Sequence, residues 1–282
     1  MPMTQADIQS HYETAWKQKS ERASGESDLS YSQDFDDEAI YPRLVQLVAD
    51  LGIRVDGGRV LDVGSGSGRW IRYFLDRYKP KRLVGIDYTV ASIDLLRKWS
   101  PRNCDTELKF SVADITDPAL DLGEQFDLVN ISSVLFHIPE QQLFDRALSN
   151  LAKLVSEDGY IITNEYLPHM TMRTEWMLVR SRYEFETAVH AAGLRIADIR
   201  PCVFFEKAAM GIDGPDDGVR GKLQAVRAKM DGVIKSNLDD SSLRFFETFF
   251  AEIDEAMLAF CSQYIAPINL PGAKVVVLKR TN

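Results

Sequence analysis

Apolar and polar positions follow two rhythms along this chain. From residue 59 onward, short apolar runs alternate with stretches of helical period. RVLDV (59–63) reads as a buried strand, GRWIRYFLDRY (68–78) as a helix, RLVGID (82–87) as a strand and ASIDLLRKW (91–99) as a second helix. LKFSVAD (108–114) and FDLVNIS (126–132) give strands three and four, a helix follows over 140–154, and GYIITNEY (159–166) gives strand five. A helix over Ser181–Ala192 is closed by Gly193, LRIADIRPCVFF (194–205) reads as strand six, and AKVVVLKR (273–280) as the last. Strand and helix in alternation predict an α/β fold, a doubly wound, mostly parallel seven-stranded sheet. In such a sheet a ligand sits at the carboxyl ends of the strands, near the point where their order reverses.

The flanking segments break the rhythm. Residues 1–38 are polar, with Tyr12, Trp16, Tyr31 and Phe35 scattered among them, and form no core alone, so they must dock or flap. Residues 40–51 return to helical spacing, and Gly52 is a natural stop. We divide the chain into an N-terminal helical arm or cap (1–58), a core (59–204), a helical insertion (205–272) and the final core strand (273–282). After a turn-rich stretch at 211–218, the insertion shows two apolar stripes. One is Leu223, Val226, Met230, Val233 and Ile234; the other is Phe246, Phe249, Phe250, Ile253, Met257, Phe260 and Tyr264. Such stripes pack on the body of the protein, cover a substrate or join two copies in a homodimer.

Composition narrows the partners. With 33 basic and 42 acidic residues the net charge is −9, which lacks the electrostatic footprint of a nucleic-acid binder. The acidity is concentrated in residues 1–58, which carry 5 Lys or Arg against 11 Asp or Glu. Three widely separated cysteines without a CxxC argue against a disulfide framework or a structural zinc site. No run approaches the ~18 apolar residues of a membrane span, so the sequence reads as a soluble, cytoplasmic protein without a membrane partner.

The chemistry concentrates in VLDVGSGSGRW (60–70), a strand entering a glycine-rich turn and then a helix. Gly64, Gly66 and Gly68 open backbone angles closed to other residues and leave no Cβ between the turn and a ligand. A dinucleotide fingerprint would need glycine where Arg69 stands, and the Gly-Lys-Ser/Thr of a triphosphate loop is absent. Asp62 places a negative charge where a phosphate loop avoids one, and so suits a ligand bearing an ammonium group. Asp87 ends strand two at the separation from Gly64 where a carboxylate accepts both ribose hydroxyls, and Ala113-Asp114 ends strand three.

Together, Asp62 to Gly68, Asp87, Ala113-Asp114 and the segment 126–138 resemble the class I S-adenosylmethionine-dependent methyltransferases, over residues 40–204. The resemblance implies their Rossmann-like fold and S-adenosyl-L-methionine as cofactor. Gly64, Ser65, Gly66 and Gly68 would hold the methionine part with Asp62 near it. Asp87, with Tyr88 next to it, would take the ribose, while Ala113, Asp114 and Ile115 flank the adenine. Asn130 and Ser132, through Ser133, would face the methionine portion and the substrate. In similar enzymes the leading segment folds across the cofactor, which makes Tyr12, Trp16 and Tyr31 candidates for closing the site.

The implied reaction moves a methyl group to oxygen or nitrogen of a small-molecule acceptor; carbon or sulfur acceptors, or cofactor binding without transfer, stay open. Such a displacement needs in-line alignment, exclusion of water and, for a protonated nucleophile, a base. His137 and His169, the latter near Glu165 and Tyr166, lie at the functional rim, and His137 serves either as base or in shaping the cofactor pocket. Ser132 and Ser133 stand where a metal-dependent member would carry a carboxylate, so no metal is expected. Asn130 is followed by Ile-Ser-Ser, without the Asn-Pro-Pro-Tyr of exocyclic-amine methylation. Asp117 and Asp121 read as parts of a solvated turn.

Overall fold

A computed structural model describes residues 3–22, 35–101, 104–203, 239–270 and 272–281, with a few helical positions between 222 and 232. The strands are β1 (Arg59–Val63), β2 (Arg82–Asp87), β3 (Glu107–Val112), β4 (Phe126–Asn130), β5 (Val155–Glu165), β6 (Met172–Arg173), β7 (Leu178–Val179), β8 (Leu194–Val203) and β9 (Ala273–Arg280). The helices are α1 (Gln5–Arg22), α2 (Phe35–Asp50), α3 (Arg69–Arg77), α4 (Val90–Trp99), α5 (Gln141–Leu154), α6 (Arg182–Ala191) and α7 (Asp240–Ser262).

Seven strands form one sheet in the order β3-β2-β1-β4-β5-β9-β8. It is parallel from β3 through β5, and β9 runs antiparallel between β5 and β8. Strand order reverses between β1 and β4, so the crevice above their carboxyl ends is where a ligand belongs.

Alternate side chains send each central strand into two cores. Val60, Leu83, Leu128, Ile162, Val275 and Val277 pack with α2, α3 and α4, whereas Leu61, Val84, Val129, Ile161, Val276 and Leu278 pack with α5 and α6. Phe74 on one side and Phe126, Phe144 and Phe185 on the other are fully buried aromatic anchors, each worth about 1.5–3 kcal/mol of apolar transfer. Ser181 caps α6 in a reciprocal box with Glu184.

The polar leading segment docks. Thr4 and Asp7 exchange hydrogen bonds at the start of α1, Ile8 and Trp16 are buried, and Trp16 packs with Leu95 of α4. Glu13 accepts from the backbone N–H groups of Val90 and Ala91, capping α4 from another helix. The β6–β7 hairpin is absent from the sequence reading, because two-residue strands carry no periodicity.

Of the two insertion stripes, the second is α7, which packs against α2 and β8. Leu258 is buried there, while Phe245, Phe249, Phe260 and Tyr264 are exposed, and Phe245 stacks on Phe249. Leu223, Val226, Met230, Val233 and Ile234 lie outside the described residues, as does Tyr31. Among the described residues, no helix is long and apolar enough to cross a membrane.

Candidate functional site

The glycine turn sits at the carboxyl end of β1, and its conformation demands glycine. Gly64 has φ +71°, and a Cβ there would stand 2.4 Å from Val134 Cγ2. Gly66, at φ +52°, lies against the Trp16 ring, 2.8 Å from the position of such a Cβ. Any side chain therefore meets both steric strain and an occupied neighbour. Gly68 starts α3 without a side-chain cap, leaving helix N–H groups for an anionic ligand group.

Three carboxylates at or near the ends of β1, β2 and β3 stand in different states. Asp87 Oδ2 accepts from Gly66 N at 3.0 Å, and Oδ1 accepts from Thr89 N and Oγ1 at 2.8 and 2.7 Å, so Asp87 ties the turn to the end of β2. Asp62 is fully buried; its Oδ1 accepts from Asn130 Nδ2 at 2.7 Å, while Oδ2 has no partner. Burial pushes its carboxyl up to about 7, against the opposing bond from Asn130. Ser132 Oγ donates to Asn130 Oδ1 at 2.7 Å, completing a chain from the end of β4 to Asp62. Asp114 instead accepts from Thr116 N and Oγ1, both at 2.8 Å, and closes its own turn.

Above the turn lies a cavity of about 340 Å³, within the range of small-molecule sites. Gly64 to Ser67, Asp87 and Tyr88 line one side; Ser132 to Val134, Phe136, His137, Tyr166 and Met177 line the other. Tyr12 and Trp16 of α1 also line it. Ser133 and Leu167, which follow β4 and β5, have positive φ values of 61° and 50°, so both loops leave the sheet through conformations L side chains rarely adopt.

His137 is held in one tautomer. Its Nδ1 stands 3.0 Å from the Trp176 carbonyl oxygen, which can only accept, so Nδ1 carries the proton. Nε2 is then an acceptor, and the Tyr12 hydroxyl donates to it at 3.0 Å. Burial holds the imidazole below the ordinary histidine range, despite the Trp176 bond. His11 packs on Trp176, so α1 braces both partners of the imidazole.

The expected residues fall into three groups. Gly64, Ser65, Gly66, Asp87, Tyr88, Ser132 and His137 line the cavity. Asp62, Gly68 and Asn130 support it from beneath, through the bonds and cap just described. Ala113, Asp114, Ile115, Glu165 and His169 are not among its lining residues; Ile115 is core, and His169 is exposed. Glu165 is buried, accepts from Thr163 Oγ1 at 2.9 Å, and is pushed up to about 8 by burial, against the pull of Arg180. Arg69, Trp70, Val134, Phe136 and Met177 also line the cavity, and Trp176 holds His137, although the sequence did not single them out as site residues. Tyr166, expected near His169, lines it as well, whereas the hairpin carrying Trp176 and Met177 leaves no signal.

Asp62 with its unpaired oxygen, the turn that excludes any Cβ and the uncapped start of α3 fit a ligand with an ammonium group, a carboxylate and a flat adenosine. Residues 60–159 match the methyltransferase domain family. That stretch is a class I S-adenosylmethionine-dependent methyltransferase domain. The chain is 35% identical over 126 residues to erythromycin 3''-O-methyltransferase of Saccharopolyspora erythraea, a match covering 44% of this chain. The same match spans only 39% of that relative's length. A SAM-dependent methyltransferase of Leishmania major superposes with a TM-score of 0.58 at 14% identity, over 96% of this chain and 83% of that one. The [4+2]-cyclase SpnF superposes with a TM-score of 0.56 at 16% identity, over 99% and 97%. At such identities the structural likeness is one of fold, and folds host more than one chemistry.

Proposed function

We propose that the chain transfers the methyl group of S-adenosylmethionine to oxygen or nitrogen of a small-molecule acceptor, with His137 as the base. The observation that carries this reading is one cavity joining the glycine turn to a histidine nitrogen that is tautomerically fixed as an acceptor. When bound, the cofactor supplies an electrophilic methyl on a sulfonium. The uncapped N–H groups of α3 would meet its carboxylate, Asp62 its ammonium and Asp87 its ribose. Tyr12, Trp16 and Phe136 exclude water, and neutral His137 Nε2 takes the acceptor proton once the Tyr12 hydroxyl yields its place. The base role rests on His137 because, of His137, Glu165 and His169, it is the one that lines the described cavity.

Calorimetric titration with S-adenosylhomocysteine, using NADH as control, tests the cofactor assignment. A labelled methyl donor offered with hydroxyl- and amine-bearing acceptors then tests transfer. Binding of the thioether alone, followed by labelled product, supports the reading; absence of binding by folded protein overturns it. Tyr12 on His137 Nε2 favours a second reading, a cofactor-binding protein without turnover, which predicts tight binding and no labelled product with any acceptor.

A further inference from the structure

Two consecutive residues, His137 and Ile138, are gripped from one hairpin and its exit. Trp176, between β6 and β7, accepts from His137 Nδ1. Arg180, just past β7, donates from Nη2 to the Ile138 carbonyl at 3.0 Å and from Nε to Gln141 Oε1 at 3.1 Å. Its guanidinium lies 3.6 Å from the centre of the Phe144 ring. The loop carrying the imidazole is thus fixed through its ring and through its backbone.

Arg180 is only 5% exposed, and its Nη1 is buried with no partner. Burial draws the guanidinium down to about 10, and Glu165, from the end of β5, acts in the opposite sense to keep it charged. A buried cation incompletely paired is a poor source of stability, and an apolar side chain of similar volume commonly serves a core better. What the guanidinium provides and an apolar chain cannot is the directed bond to the Ile138 carbonyl.

We propose that Arg180 and the β6–β7 hairpin form a clamp that holds His137 in its Nδ1–H tautomer, with Nε2 presented to the cavity. Arg180 is a positioning residue: it acts on the acceptor side of the site through the backbone of Ile138. The proposal rests on the reading of His137 as the base, but the tautomer can be measured without knowing the acceptor.

The test is ¹⁵N NMR of histidine-labelled protein, with the His137 signals assigned by their loss in His137→Gln. Wild-type protein should show an Nδ1–H, Nε2-acceptor pattern. Arg180→Met should move His137 toward a mixture of tautomers, with Arg180→Lys in between, while affinity for S-adenosylhomocysteine stays within about twofold because the cofactor side is untouched. Once an acceptor is known, Arg180→Met should lower kcat by about 10²-fold, as an ångström-scale misplacement does, with the KM for S-adenosylmethionine unchanged. An unaltered His137 tautomer in folded Arg180→Met protein overturns the clamp. Should Arg180→Met fail to fold, Arg180→Lys decides alone: a shifted tautomer supports the clamp and an unshifted one overturns it. Absence of methyl transfer together with a shifted tautomer would remove the base reading and leave the clamp standing.

Discussion

The two sides of the cavity are built differently. The cofactor side is local: the turn at Gly64 to Gly68 and the end of β2 at Asp87 lie within a single strand-helix-strand unit, and Asp87 bonds directly to Gly66 N. The opposite side is assembled from Tyr12, His137, Tyr166 and Met177, drawn from α1, two strand-end loops and a hairpin. Backbone shape specifies the first side, whereas side-chain contacts across long sequence separations specify the second. Cofactor binding and acceptor chemistry should therefore respond to different substitutions.

The sharpest break comes at the turn. Gly64→Val, placing a branched side chain at positive φ against Val134, should abolish S-adenosylhomocysteine binding, measured by calorimetry on protein shown folded by circular dichroism. His137→Ala should do the reverse, lowering turnover by about 10²-fold or more with little change in thioether affinity. The acid limb of the wild-type rate profile should also lie below the usual histidine range, because burial disfavours the imidazolium; a limb at or above that range would contradict the base assignment. Asp87→Ala should weaken the cofactor by about 1.5–3 kcal/mol, the range for a hydrogen bond to a charged group, and unchanged affinity would remove its ribose role.

A further expected effect is a pH dependence of stability. Asp62 titrates near 7 folded, against about 3.9 unfolded. Its carboxyl is protonated when folded and ionised when unfolded across that window, so its contribution is complete below about 4 and lost as pH rises through about 7. Glu165, near 8 when folded, has the same sign. Thermal unfolding of the ligand-free protein between pH 5 and 8 should show this decline, and Asp62→Asn should flatten part of it. An equal slope in the variant would mean that Asp62 does not titrate there.

What the sequence makes legible follows the same division. Val60 to Gly68 combines a buried strand with three glycines, and physical rules tie that string to one turn; Asp87 follows at a separation the fold repeats. The sheet was readable for a similar reason, since its inner strands β1, β2, β4 and β9 are largely apolar runs buried on both faces. Asp114 does not line the described cavity, and its carboxylate closes an Asx turn on Thr116. Glu165 lies at the expected strand end, yet the pleat turns it toward the core that holds α5 and α6, beside Arg180. Trp176 enters through its carbonyl oxygen, a group every residue has, so no side-chain pattern marks it.

Helix α1 touches both sides at once: Glu13 bonds the start of α4, Trp16 covers Gly66, and Tyr12 holds His137. A ligand held in the cavity beside α1 should leave more slowly while these contacts persist, so its residence time should follow how often the helix undocks, with product release limiting turnover as much as chemistry. Weakening the Glu13 contacts, far from any reacting atom, should shorten the dwell of bound thioether.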